Sequence, residues 1–408
     1  MKKRNIIVAA SFMAVTALGV GMLSSCTDNF EDLNTNKTQV DPNDLPFSAQ
    51  CAEPMNYCYP PHQNMFQFWT NLTIDLYGGY FETPHGNFTN CDMGENRGHS
   101  GGMYENFYLH IFNNTRRIIT SCDAKGQKGL SGVMRVVQAC GTITATDAYG
   151  PLAYSSILEG KSEEYYDFDS QQKLYEQILD DLSTATTDIA AMSEEDKANL
   201  ATFDTWGGGD PQMWIQMANT LKLRVALRLS KREAEMKADG YDLKAIATQA
   251  ASSTLAVSGK DIVVKDQSNE LKRMFDWQDC GMNANLVTLL VGMKDPRLPL
   301  YITKNSGEIT NEKGEVTPAG STYCGIRFAS GMAQKGSSGS YGYKMSQWVG
   351  DYNVPLPIFK AAEAYFLLAE AKLRWDIGSE SVQSLYEKGI RLSIKNELAY
   401  KGSWANVD

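Results

Sequence analysis

The sequence predicts an all-α fold, in which tetratricopeptide-like helix pairs carry long irregular ligand-binding loops. Three observations predict it. The first is a helical stripe over 361–374, with Ala364, Leu367, Leu368 and Ala371 on one face. It breaks at Gly378 and resumes over 381–394 with Val382, Leu385, Tyr386, Gly389 and Ile390. The two halves make a pair of about 34 residues, the length of a tetratricopeptide unit. The second is that one such pair cannot bury its own apolar face, so further pairs are expected. The third is the scarcity of strand patterns: only Asp261–Val264 and Ser321–Phe328 qualify.

The other pairs follow in order. Leu130–Ala148 is apolar at helical spacing, and Gln171–Met192 follows after an insertion. Asp210-Pro211 reads as an N-cap followed by Pro at the first helical position. It opens a long helix through Trp214, Met217, Leu221, Val225 and Leu229, with Tyr241–Leu255 as its partner. Between the pairs lie Gly-rich connections: Gly94–Gly102, Gly207-Gly208-Gly209 and Ser330–Tyr343. Long ordered loops on a rigid scaffold are where binding residues concentrate.

The beginning of the chain has a different character. Lys2-Lys3-Arg4 precedes an apolar run from Ile6 to Leu23, the order of a secretory signal peptide. A membrane-anchoring helix is the competing reading of that run. Leu23-Ser24-Ser25-Cys26 resembles the lipobox of bacterial lipoproteins, which implies cleavage before Cys26 and lipid attachment at Cys26. Asp28, Glu31 and Asp32 resemble the acidic export signal of Bacteroidota surface lipoproteins, and they also suit a solvated tether. The expected organisation is a signal peptide over 1–25, a lipidated N-terminus and tether over 26–45, and an α-helical binding domain over 46–408.

Composition narrows the partners. The formal net charge is −10, from 38 basic and 48 acidic residues, and three of the basic residues lie in the leader. No Lys/Arg-rich stretch follows the leader, which argues against nucleic acid and anionic membrane surfaces. Neutral glycans and peptides remain open. Of eight cysteines, Cys26 is assigned to lipid. The rest contain no C-x-x-C and no zinc spacing, so buried free thiols are expected, with Cys51 and Cys58 the one close pair.

The catalytic patterns in the chain each have a simpler reading. Gly98-His99-Ser100-Gly101-Gly102 matches G-x-S-x-G, but the residues before it are polar and loop-like, and a nucleophile elbow needs a buried strand there. The histidines at 62, 85, 99 and 110 form no H-x-x-x-H pair. Asp92, Glu95, Asp167 and Asp169 offer calcium ligands without an EF-hand loop. No catalytic residue, metal site or cofactor is expected. Tyr80, Phe81, Trp277, Tyr323, Tyr343 and Trp348 sit in or beside loops in polar company, so they are the candidate ligand contacts. Rings there stack on sugars or pin loops to the scaffold, and the sequence leaves both uses open.

An ordered set of motifs resembles a known family. It comprises the lipobox with Asn29-Phe30-Glu31-Asp32-Leu33-Asn34, then Asp147-Ala148-Tyr149-Gly150-Pro151-Leu152-Ala153-Tyr154. Gly208-Gly209-Asp210 with Trp214 and Ala218-Asn219-Thr220-Leu221-Lys222-Leu223-Arg224 follow. Lys294-Asp295-Pro296-Arg297-Leu298, Glu363-Ala364-Tyr365 and Leu368-Ala369-Glu370-Ala371 complete it. Together they resemble the SusD/RagB outer-membrane nutrient-binding lipoproteins, in the SusD-like branch. The resemblance implies a helical cell-surface protein that binds oligosaccharides, or in some cases peptides, without catalysis. It also implies delivery of the ligand to a SusC-like TonB-dependent transporter. Family members continue well past the pair at 361–394, so a stop at Asp408 is expected to mark a truncated C-terminus. A surface glycoside hydrolase and a peptide-binding helical adaptor are the alternatives.

Overall fold

The helical stripes of the sequence fold as helices, and their faces decide how they stack. The computed structural model describes residues 45–59, 63–86, 88, 96–160, 165–264, 268–328 and 341–400. The leader, Cys26 and the tether up to Asp44 lie outside the described residues, as does most of the loop over 330–343. The described residues from Phe47 onward belong to one unit.

Helix α1 (Phe47–Tyr57) is followed by a π-helical segment, Phe66–Ile74, and by the short strand β1 (Phe81–Glu82). A second π-helical segment, Phe107–Phe112, runs into α2 (Asn113–Ala124). Then come α3 (Lys128–Tyr149), α4 (Gln171–Ala190), α5 (Glu194–Phe203), α6 (Pro211–Arg228) and α7 (Leu243–Ala251). Strand β2 (Ile262–Val264), α8 (Glu270–Asp276), β3 (Gly281–Met282) and α9 (Ala284–Gly292) follow. The hairpin β4 (Ile309–Thr310) with β5 (Val316–Thr317) and strand β6 (Leu356–Phe359) precede α10 (Ala361–Trp375) and α11 (Val382–Ala399). The sheets are two-stranded antiparallel pairs: β1 with β3, β2 with β6, and β4 with β5. Over Ser321–Phe328 the structure shows only a single bridge, Asn283 to Ile326, where the sequence suggested a strand.

The expected pairs are present. α3 packs on α4, α6 on α7, and α10 on α11, while α4 against α6 and α6 against α10 join them into one stack. Asp210 caps α6 through Oδ1, which accepts from Gln212 N at 2.9 Å, and Pro211 opens the helix. Before it, the Asp204 carboxylate accepts from the backbone N–H groups of Trp206, Gly207 and Gly209 and from Trp214 Nε1. That wrapping needs left-handed backbone at Gly208 and Gly209, with φ of 68° and 80°. Between α10 and α11 the helix ends at Asp376, which takes a left-handed φ of 58° two residues before Gly378. Within the pair, Gly389 is required by close approach: a Cβ there would sit 2.6 Å from the Phe366 ring.

Polar ties fix the stack. Arg135 bridges Asp123 of α2 and Asp181 of α4, each at 2.9 Å. Arg224 of α6 grips Glu363 of α10 with two parallel bonds of 2.7 Å, and its guanidinium lies 4.2 Å above the Phe359 ring. Asp261, just before β2, accepts from Ala361 N, Lys360 Nζ, Asn396 Nδ2 and Tyr400 Oη at 2.8–3.2 Å. It therefore joins β2, the start of α10 and the end of α11. The six described cysteines other than the lipid candidate and Cys91 are free thiols. Cys51 lies within α1 and Cys58 just past its end, and both are free.

Removing the Asp261 carboxylate leaves the Lys360–Glu397 pair and the first N–H of α10 without their shared partner. Asp261→Ala is expected to lower unfolding free energy by about 3 kcal/mol or more, read by urea denaturation. A loss under 1 kcal/mol would mean the hub is peripheral.

Candidate functional site

A second, smaller core carries the loops away from the helix stack. Phe66, Met274, Phe275, Cys280, Met282, Val287, Trp348 and Val354 are buried there. The β1–β3 pair runs across it, with Phe81 opposite Met282 and Glu82 opposite Gly281. The strands present two ends. At one, Tyr80 accepts from Asn283 N through its carbonyl while its ring lies over Gly78, 55 % exposed. At the other, β3 follows directly on Trp277-Gln278-Asp279-Cys280.

That second end gathers polar groups. The first π-helical segment and the turn after it present Gln67, Asn71 and Asp75 at four-residue spacing. Gln67 Nε2 donates to Asp279 Oδ2 at 2.6 Å, and Asn71 Nδ2 donates to Cys280 Sγ at 3.3 Å. Burial raises the Asp279 carboxyl above its ordinary pKa, while His85 and the Gln67 bond pull it down. Burial likewise raises Tyr343, with the Asp279 charge adding to the effect. Trp277 closes α8 with its indole 42 % exposed, and the Arg273 guanidinium lies 5.7 Å from its ring. Between Trp277 and Asp279, Gln278 takes a left-handed φ of 62°, which turns the chain between the exposed Trp277 and the buried Asp279. The arrangement offers an exposed aromatic ring two residues from a buried carboxylate that an amide holds.

The six sequence candidates therefore separate. Trp277 precedes Asp279 by two residues, Tyr343 feels the Asp279 charge, and Tyr80 stands at the opposite end of the strand pair. Phe81 and Trp348 turn inward and line a cavity of about 260 Å³ with Tyr59 and Tyr301. Trp348 is buried and tilted against Phe275, ring centroids 6.1 Å apart. Tyr323 is partly buried against the second core. Gln67, His85 and Asp279 were not singled out as contacts. Asp279 stood in the segment that drew attention to Trp277, whereas nothing local marks Gln67 or His85.

The other sequence motifs have plain surroundings. Ser100 sits in a helical turn, Arg97–Ser100, and its hydroxyl donates to Asn96 O at 3.0 Å. His110 stacks on Tyr57 and contacts Glu53 at 2.7 Å, and His99 stacks on Phe68. Asp169 accepts from Ser155 N and Oγ, pinning the insertion after α3. Asp92, Glu95 and His62 lie outside the described residues.

Comparison with known proteins completes the picture. The family described as "Susd and RagB outer membrane lipoprotein" matches residues 29–403. The chain belongs to the SusD-like family. Among solved structures, a chitin-binding SusD homologue from Flavobacterium johnsoniae superposes with a TM-score of 0.72 at 23 % identity, covering 86 % of this chain and 70 % of that one. A SusD-like protein from Bacteroides thetaiotaomicron gives 0.70 at 24 % identity, with the same coverage of 86 % and 70 %. A SusD homologue from Bacteroides vulgatus gives 0.72 at 24 % identity, covering 86 % and 71 %. These likenesses agree with the helical fold. No curated protein matches the chain.

Asp75 makes the π-helical support of Asp279 and Cys280 pH-sensitive. Its carboxyl is held against Tyr59 and Asn71, and burial raises its pKa to about 7. The folded chain thus keeps a proton that the unfolded chain releases near its ordinary value, so stability falls as pH rises from about 4 through 7. Asp75→Asn is expected to match the wild type near pH 4 and to exceed it by roughly 3 kcal/mol at pH 8. Denaturant midpoints across that range check it; a difference independent of pH contradicts it.

Proposed function

We propose that this SusD-like protein is a cell-surface lipoprotein that binds neutral oligosaccharides at the Trp277–Asp279 edge and passes them to a SusC-like TonB-dependent transporter. The observation that carries the reading is an exposed indole, Trp277, two residues before a buried carboxylate, Asp279, that the Gln67 amide holds at 2.6 Å. A pyranose ring offers an apolar face for the indole and hydroxyls for those polar groups. Support also comes from the family description, which places members at the outer membrane, and from the Flavobacterium johnsoniae homologue, described as chitin-binding. The reading has no catalytic step: the protein captures and releases the glycan unchanged. The lipobox ending at Cys26 supplies the anchor, since several acyl chains hold a protein on a membrane where one does not.

A glycan array followed by calorimetric titration tests the binding. Trp277→Ala is expected to weaken the best oligosaccharide at least tenfold and leave the thermal midpoint within a degree or two. Trp348→Ala is expected to do the reverse, costing about 3 kcal/mol of stability because it empties a packed core. Release of shortened products would favour a glycoside hydrolase, and competition by oligopeptides alone would favour a peptide-binding adaptor.

The anchor has its own test. Cys26→Ala removes the only thiol the lipid can join, so the variant is expected to leave the membrane fraction. Retention of a fully processed variant after carbonate washing would contradict lipidation.

A further inference from the structure

The Trp277 indole is 42 % exposed at the end of α8, and one neighbour holds it there. Among the described residues, the one charged, hydrogen-bonding or aromatic side chain against it is Arg273, whose guanidinium lies 5.7 Å from the ring centroid. The two residues stand four apart and so share one side of the helix. Arg273 is itself held twice more. Its Nε donates to Glu270 Oε2 at 2.7 Å, and Glu270 is only 7 % exposed. Its guanidinium also lies 5.6 Å from the centroid of the Tyr352 ring. Tyr352 is fastened to α8 in turn. Its carbonyl accepts from Asn269 N, at the helix N-cap, at 2.8 Å, and its hydroxyl donates to Asp276 Oδ2 at 3.1 Å. Both ends of α8 therefore hold the tyrosine, the tyrosine braces the guanidinium, and the guanidinium covers the indole.

Charge separates positioning from ligand recognition. Arg273 pairs with Glu270, and Lys272 pairs with Asp276. These four side chains carry no net charge, so they do not select an anionic ligand. A guanidinium is planar and stacks on aromatic faces, which lets one arginine steady two rings. A ring that is already ordered loses less freedom when a ligand stacks on it. We infer that Arg273, braced by Tyr352, is a positioning residue that fixes the Trp277 indole for stacking on a neutral sugar ring. The purpose of that order rests on the glycan reading; the order itself does not.

Labelling with 5-fluorotryptophan places a reporter on each of the seven tryptophans, and Trp277→Phe identifies the Trp277 line. Fluorine relaxation of the protein without any glycan reads the motion of that indole. Arg273→Met keeps the stem and removes the guanidinium, and it is expected to free Trp277 while the other tryptophans keep their relaxation rates. Tyr352→Leu should free it in part, and adding Tyr352→Leu to Arg273→Met should change nothing further, because the tyrosine acts through the arginine. A Trp277 line as rigid in Arg273→Met as in the wild type, or independent effects of the two changes, would overturn the inference. Calorimetric titration with the oligosaccharide bound best on the array supplies the second readout. Arg273→Met should bind it about two- to fivefold more weakly, the worth of one exposed cation–π contact, with the thermal midpoint nearly fixed. Undiminished affinity in Arg273→Met, where Trp277→Ala loses it, would also overturn the inference. Undiminished affinity in both variants would count against the glycan reading instead, and the relaxation result would then decide the positioning role alone.

Discussion

The Asp261 carboxylate is the interaction on which the joining of β2 to the last helix pair most depends. Four donors from two parts of the chain converge on a side chain that is almost wholly buried. A buried charge is tolerated only when its lone pairs are satisfied, so the geometry of β2, the start of α10 and the end of α11 is set together. The Ala361 N–H is an orphan donor of a helix N-terminus, where negative charge is favoured. Lys360 completes the arrangement by also pairing with Glu397 at 2.6 Å. Because β2 pairs with β6, the loop that carries Trp348 and Val354 is fastened to the helical stack at the same place.

The helix stack and the loop core divide the labour. The stack is held by apolar stripes and by charge-assisted ties such as Arg224–Glu363, features of a rigid scaffold. The loop core is built from short strands and turns whose stability comes from side-chain packing, since two-stranded pairs are marginal on their own. That division lets Trp277 stay near solvent, two residues from the buried Asp279, without loosening the fold. It also explains the cost of the face: Asp75 and Asp279 are partly desolvated carboxyls, held by Asn71 and Gln67 from a π-helical segment.

Much of the scaffold was legible because its signals are local. The stripes, the Asp210-Pro211 cap and the break near Gly378 located the paired helices to within a few residues, and the motifs from Asn29 to Ala371 pointed to the SusD-like family. The π-helical segments were not legible. Their extra residue per turn follows from packing, as where the Trp69 indole occupies the space a Cβ would take on Gly102. The site was half legible. Exposed Trp277 announced itself through polar neighbours, but buried Trp348 has similar neighbours in sequence, and only burial separates them. Gln67 and Asp279 meet across 212 residues, a contact that no periodicity encodes.

The most direct test of the central claim is hydroxyl-radical footprinting of the protein with and without the oligosaccharide that binds most tightly on an array. Stacking of a sugar on the proposed edge should protect Trp277, with Tyr343 and His85 protected alongside it. Tyr165 and Phe168, which are exposed on the insertion after α3, should oxidise at unchanged rates. Protection at Tyr165 and Phe168 with Trp277 unaffected would place the ligand on the helical scaffold and contradict the account.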